Sequence, residues 1–288
     1  MVGDELGTGG GPAELMAAEL MAAELTSAEL TAGLRAGYDA AADEWADGPG
    51  PMYAPLARAL VAAAPVPLAG RLVLDLGAGE GVAGRAALAA GARRVVAVDL
   101  SEGMLRSGGG GCPVAADAVA LPFRDGSFDL VVAAFCLNHL GRLAAGLAEA
   151  RRVGAALAAS MFASGWTHPA KDAVDDAVRS FGYRPPIWHT ALAPGSRASD
   201  PKALARCAAA AGFTRVQAHT TAVPTMLASP AELVSWRLGM AHLAPFMRSL
   251  DAPGRAAVRR AAEQAVATAA GADPMMPLVV SMVVLTAS

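Results

Sequence analysis

Between Leu72 and residue 163, compact apolar runs alternate with stretches rich in small residues, and that rhythm predicts strands and helices in turn. Leu72–Leu76 is a run of strand length, residues 81–90 suit a helix, and residues 95–100 form a second apolar run before a helix opened by Ser101. Residues 113–116 read as a short strand, 128–135 (FDLVVAAF) as a fully apolar one, 142–153 as a helix and 155–163 as another buried strand. Strands that are apolar on both faces, alternating with helices, belong to a parallel sheet covered on both sides.

The flanks read differently. Residues 38–64 predict one or two helices, broken by the Gly-Pro-Gly-Pro run at 48–51. Residues 164–197 carry Trp166, His168, Tyr183, Trp188, His189 and a Pro185-Pro186 pair, an aromatic, proline-broken insertion that reads as a lid or pocket wall. A helix over 201–211, a strand over 215–221, helices within 230–270 and a last strand over 278–286 complete the pattern. Near the start, residues 13–32 repeat AELMA, AELMA, AELTS, AELTA. Each five-residue step turns a helix by about 140° net, so the repeated leucines share no face. Residues 1–34 are therefore expected to be a low-complexity extension, and 35–288 one domain with lid or substrate segments at 164–200 and 224–275.

Composition narrows the class. A hydrophobic content of 54% is ample for a core, and a net charge of −3 gives no electrostatic case for nucleic acid. The three cysteines have no paired or metal-ligand spacing, so neither a disulfide framework nor a metal site is expected. No apolar run approaches the ~20 residues that cross a bilayer, and the N-terminus lacks a signal-peptide pattern. The expectation is a cytoplasmic protein without a membrane partner, monomeric or homodimeric.

Chemistry concentrates at the carboxyl ends of the apolar runs. Gly77, Gly79 and Gly81 follow Asp75 and allow backbone N–H groups to approach a ligand without Cβ interference. The stretch 79–84 also matches the GxGxxG pattern of dinucleotide sites. A carboxylate at Asp75 repels a pyrophosphate and attracts a cationic amino-acid moiety, which argues against a nicotinamide cofactor. Asp99 ends the second run, where a carboxylate can accept both ribose hydroxyls, and Asp117 ends the third, placed to accept from an adenine amino group. Asp129 reads as structural. His139, in CLNHL after the fourth strand, is the best-placed general base, with His168, His189 and His242 as rivals. Trp166, Trp188, Trp236, Phe246 and Met240 can wall an apolar acceptor pocket, with His168 and His189 beside them.

The segments LDLGAGEG, VDLSEGML, ADAVALPFRDGSFDLVV and YDAAADEW together resemble the class I S-adenosylmethionine-dependent methyltransferases, and more narrowly the ubiquinone- and menaquinone-biosynthesis-like branch of small-molecule enzymes. The resemblance covers roughly residues 36–163. It implies a Rossmann-like, doubly wound α/β fold: a mostly parallel seven-stranded sheet with an antiparallel last strand and a helical lid. It implies S-adenosylmethionine as cofactor. Asp75, Gly77, Ala78 and Gly79 would line its methionine moiety, Asp99 its ribose, and Leu100 and Met104 its adenine. Asp117 and Ala118 would meet the adenine edge, Phe135 and Cys136 the methionine side, and Tyr38 would close over the cofactor. The family's usual Leu-Arg-Pro-Gly-Gly-like turn before strand five is shortened here, where Glu149-Ala150-Arg151-Arg152-Val153-Gly154 runs almost straight into AALAASMFA.

Three readings follow. The first is methyl transfer to an oxygen or carbon of an apolar small molecule, in bacterial secondary metabolism. The second keeps the cofactor but uses it without consumption, in a cyclisation or rearrangement. The third is a non-catalytic partner protein.

Overall fold

The computed structural model describes residues 26–192, 199–270 and 278–288. Seven strands form one sheet in the order β3-β2-β1-β4-β5-β7-β6: β1 (Leu72–Leu76), β2 (Arg94–Asp99), β3 (Cys112–Ala115), β4 (Leu130–Ala134), β5 (Leu157–Phe162), β6 (Gln217–Pro224) and β7 (Val279–Ala287). The first five pair in parallel, while β7 runs antiparallel to both β5 and β6. This is the doubly wound, mostly parallel sheet expected, and the order reverses beside β1, where such sheets open a crevice at their carboxyl ends.

Two apolar layers cover the sheet. Val73, Val95, Leu130, Val132 and Ala158 face helices α1 (Ser27–Trp45), α2 (Gly50–Ala62) and α3 (Val82–Ala89). Leu74, Leu76, Val131, Leu157 and Met161 face α5 (Leu143–Val153) and α8 (Pro201–Ala210). The short α4 (Glu102–Ser107) follows β2, and Ser101 caps it by accepting from Met104 N at 3.1 Å.

One expectation changes. Helix α1 begins at Ser27, inside the stretch read as an extension, because Thr26 and Glu29 form a reciprocal capping box and Leu30 and Leu34 pack on the core. The earlier repeats, residues 1–25, lie outside the described residues. The proline-broken 164–197 segment is largely helical where it is described, as α6 (Pro169–Ser180) and α7 (Ile187–Ala191). These pack with α9 (Pro230–Leu238), α10 (Ala244–Ser249) and α11 (Ala252–Ala270) into a cap over the α1 side of the sheet.

The shortened turn before β5 is held from outside. Arg152 binds Glu149, Asp125 and the carbonyls of Leu121 and Phe123, and Asp129 accepts from Leu72 N at 2.8 Å. A Cβ on Gly154 would sit 2.5 Å from Val131, so the chain can pass there only as glycine. Among the described residues, no helix is long and apolar enough to cross a membrane.

Candidate active site

One cavity of 1060 Å³ opens between the carboxyl ends of β1–β5 and the helical cap. That volume is at the upper end for ligand sites and has room for a cofactor and a second molecule.

Its floor is built from three strand ends. After β1 the backbone turns through Gly77, Ala78 and Gly79, all lining the cavity. Gly77 has φ +68°, and a Cβ there would meet Cys136 Sγ at 2.5 Å, so glycine is required twice over. After β2, Asp99 receives Gly79 N and Ser101 N at 2.8 Å each, one on either carboxylate oxygen. Burial nevertheless holds its carboxyl above the usual range, outweighing those donors. Leu100 and Met104 line the cavity beside it, and after β3 Asp117 and Ala118 do the same, with Asp117 Oδ1 fixed by Val119 N at 3.1 Å.

The opposite wall is aromatic. Tyr38 tilts against Trp45 at 5.4 Å, Trp45 stacks on Tyr53, and Tyr53 meets Phe135 edge-on. Phe135 then packs on Phe162, which stacks on Trp166. Phe135 has φ +54°, a conformation that costs a non-glycine residue of order 1 kcal/mol or more and that collects at functional sites. Trp188, Trp236 and Met240 line the cap side of the same space.

Beyond Phe135, Cys136 and a single 3-10 turn, Leu137–His139, place His139 in the cavity. Its Nε2 lies 3.0 Å from Tyr38 Oη and 3.2 Å from Asn138 Nδ2. The amide nitrogen Nδ2 donates, so Nε2 is an acceptor, Nδ1 carries the ring proton, and the tyrosine hydroxyl can point its proton at Nε2. Burial pushes the imidazole down to about 4 and the Tyr38 phenol well above its ordinary value.

Four expected site residues stand elsewhere. Phe246 lies outside the cavity, edge-on to Tyr183, and Gly81 is the left-handed N-cap of α3. Asp75 does not reach the cavity: on β1 it shares the face of Val73, turns under α3 and accepts from Gly84 N at 2.7 Å. It is 1% exposed, its Oδ1 has no partner, and burial pushes its carboxyl up to about 7. The charge argument drawn from Asp75 against a pyrophosphate therefore lapses. His168 lies outside the cavity as the N-cap of α6, its ring accepting from Ala170 N at 3.3 Å. The proline at the next position and the free N–H groups of the first turn account for its placement.

Asp75 yields a stability prediction. Its folded pKa lies above the unfolded value near ~3.9, so the native state holds the proton longer and stability falls as pH rises from about 4 to about 7. Asp75→Asn keeps an acceptor for Gly84 N without the buried charge. In thermal melts of the unliganded protein, it should gain about 2–4 kcal/mol over wild type near pH 8 and nothing near pH 4. An equal effect at both pH values would contradict a buried charge at Asp75.

Several contributors were given no role in the site, or a different one, by the sequence, although Asp39 and Asn138 lie within quoted motifs. Asp39 accepts from Ser101 Oγ at 2.6 Å and Gly103 N at 2.9 Å, tying α1 to α4 and so setting Tyr38 over the floor. Asn138 supports His139, while Lys171, Asp175, Arg237 and His242 line the far end of the cavity.

Residues 74–156 match a family model described as a methyltransferase domain. The matched span is under a third of the chain, and what it resembles is a methyltransferase domain. Domains of this class take their methyl group from S-adenosylmethionine, and the matched span runs from β1 to the threshold of β5, the floor just described. A demethylmenaquinone methyltransferase of Clavibacter sepedonicus is 46% identical over 94 residues, 30% of this chain and 38% of that protein. One from Thermobifida fusca is 44% identical over 93 residues, 29% and 39% respectively. The match thus spans under two-fifths of either relative. In fold, the chain resembles a protein of Anabaena variabilis described as a methyltransferase from an antibiotic biosynthesis pathway (TM-score 0.53, 16% identity, 80% of this chain and 96% of that one). The methyltransferase seen with the Trm112 activator of Haloferax volcanii gives a TM-score of 0.51 at 16% identity, over 90% of this chain and 97% of that one.

Proposed function

We propose that this protein transfers a methyl group from S-adenosylmethionine to an oxygen or carbon of a small molecule with an apolar body, in bacterial secondary metabolism. The observation that carries this reading is the single cavity with two unlike walls. Gly77–Gly79, Asp99 and Asp117 form a polar floor suited to an adenosyl amino acid, and the Tyr53–Phe135–Phe162–Trp166 stack forms an apolar wall across from it.

In that reading Asp99 accepts the ribose hydroxyls, with two oxygens already oriented by Gly79 and Ser101. Leu100 and Met104 flank the adenine, Asp117 and Ala118 its amino edge, and Gly77, Ala78, Phe135 and Cys136 the methionine portion. The bound sulfonium supplies the methyl group and a good leaving group, so the protein's task is alignment, worth about 7–11 kcal/mol of barrier in well-oriented systems.

The proton of the acceptor leaves through the Tyr38–His139 pair. Tyr38 Oη takes it while passing its own proton to His139 Nε2 at 3.0 Å. A weak base suffices here because the sulfonium charge disappears as the imidazolium forms, so the cavity keeps one positive charge throughout. His139 thus works through Tyr38, which is the group that touches the acceptor.

Calorimetric titration with S-adenosylhomocysteine tests the reading, followed by turnover with isotopically labelled S-adenosylmethionine and a panel of phenols and enols. Saturable one-to-one binding and one S-adenosylhomocysteine formed per labelled methyl transferred are expected. Absence of binding would sink it, and conversion of an acceptor without cofactor consumption would transfer support to the non-consumptive reading.

A further inference from the structure

The far end of the cavity is neither apolar nor used by the reaction just described. His189, on α7, and His242, between α9 and α10, stack face to face with ring centroids 3.8 Å apart and planes 5° from parallel. Both line the cavity, His242 is 6% exposed, and among the described residues neither ring has a hydrogen-bond partner. Trp188 closes one side edge-on and Tyr183 the other.

Cations surround the pair. Arg237 grips Asp175 through Nε and Nη2 at 2.6 and 3.0 Å, and Lys171 Nζ reaches the same carboxylate at 3.1 Å. Among the described residues Asp175 is the one acid lining this end, and with Asp172 behind Lys171 the two carboxylates balance Lys171 and Arg237, so the excess positive charge there comes from Arg184. Asp172, half exposed, sits 3.1 Å from Lys171 on the outer side. Arg184 adds a guanidinium from the cavity wall, bonded only to the Tyr183 carbonyl among the described residues.

Burial and those cations hold both imidazoles neutral, His189 down at about 4. A neutral ring still donates one N–H. Two unpartnered ring donors beside fixed cations form a subsite for negative oxygen. Both rings also lie near enough to His139 that their protonated forms would repel it, which puts them in the same half of the cavity as that residue.

We propose that the acceptor carries an anionic group, a carboxylate or phosphate, that docks on the stacked His189–His242 pair between Lys171, Arg237 and Arg184. This rests on the methyltransferase reading and narrows its substrate class. The molecule would be an amphiphile, with its apolar body on the Phe135–Phe162–Trp166 wall and its charge at the cap. The subsite is assembled from two distant stretches of chain, both outside the matched family span.

The test uses protein saturated with S-adenosylhomocysteine and three probes with one shared body: 2-naphthoate, 2-naphthyl phosphate and 2-naphthylmethanol. At least one anion should bind about tenfold tighter than the alcohol, the worth of one charge-assisted hydrogen bond. Which anion wins separates carboxylate from phosphate. His189→Phe with His242→Phe keeps the stacked rings and should abolish the preference, and Lys171→Met, at a half-buried position, should reduce it if the double variant does not fold. Equal or undetectable binding of all three probes to wild type, or a preference that survives the variants, would overturn the proposal. Binding of S-adenosylhomocysteine is read in the same titrations, so loss of the cofactor reading is distinguishable from loss of this one.

Discussion

Asp99→Ala should weaken S-adenosylhomocysteine binding by at least about a hundredfold in calorimetry. Two ribose hydroxyls on one carboxylate contribute roughly 1.5–3 kcal/mol each, and about 1.4 kcal/mol is a factor of ten. The carboxylate is also the internal strut of the site: without it, Gly79 N and Ser101 N lose their acceptors and the glycine turn is free to move. Binding should therefore fall further than the ribose contacts alone require. Asp99→Asn keeps an acceptor for one of the two N–H groups and should lose less. Both variants should still unfold cooperatively, because Asp99 lies at the end of a strand whose core contacts come from Val95, Ala97 and Val98. Unchanged affinity in a folded Asp99→Ala protein would remove this residue from the cofactor site.

The second large effect concerns turnover. Tyr38→Phe deletes one oxygen and leaves the ring against Trp45, yet should cost about 10²–10⁴ in kcat, the usual range for a positioned acid–base group. His139→Ala should cost a similar factor, while S-adenosylhomocysteine affinity moves by only a few fold. The two losses should not multiply in the double variant, because the residues act as one relay. The pH profile supplies an independent check. His139 is active when unprotonated, and burial holds its protonation down at about 4. The rate should therefore stay flat as pH falls from about 8 to about 5.5 and decline only below that, where an ordinary histidine would already have cost half the rate near 6.5. Full activity in Tyr38→Phe, or an inflection near 6.5, would dismiss the relay.

Much of the floor was readable in the chain because its signals are local. Apolar runs of strand length, glycines and acids at strand ends, and a serine before α4 each specify structure within a few residues. Every expected strand is present, β1 with the expected ends and the other six with ends shifted by one to three residues. Asp75 shows where locality stops. An acid at a strand end faces either ligand or helix, and only the pleat, which puts Asp75 with Val73 on the α3 face, decides between them. His168 was misread for a related reason: a ring among aromatics suggested a wall, but a proline after it makes a helix start. Helix α6 did carry a signal, since Ala170, Val174 and Val178 repeat every four residues and all are buried. The tryptophans and prolines on either side obscured it. The His189–His242 stack had no readable signal at all, because its partners are fifty-three positions apart and meet only through the packing of α6, α7 and α9.

The sheet order has a consequence for how the molecule is made. β7, seventh in the chain, is spatially sixth, and it is the one neighbour β6 has. A ribosome extending this chain at roughly 5–20 residues per second delivers β1 to β5 first, with the border of β5 bare. β6 then emerges with nothing to join, and α9 to α11 must follow before β7 can slot between them. Throughout that interval the nascent polypeptide shows an open strand margin, the kind of surface on which unfinished chains cling to each other. Chaperone demand during synthesis should accordingly be concentrated between the emergence of β5 and that of β7.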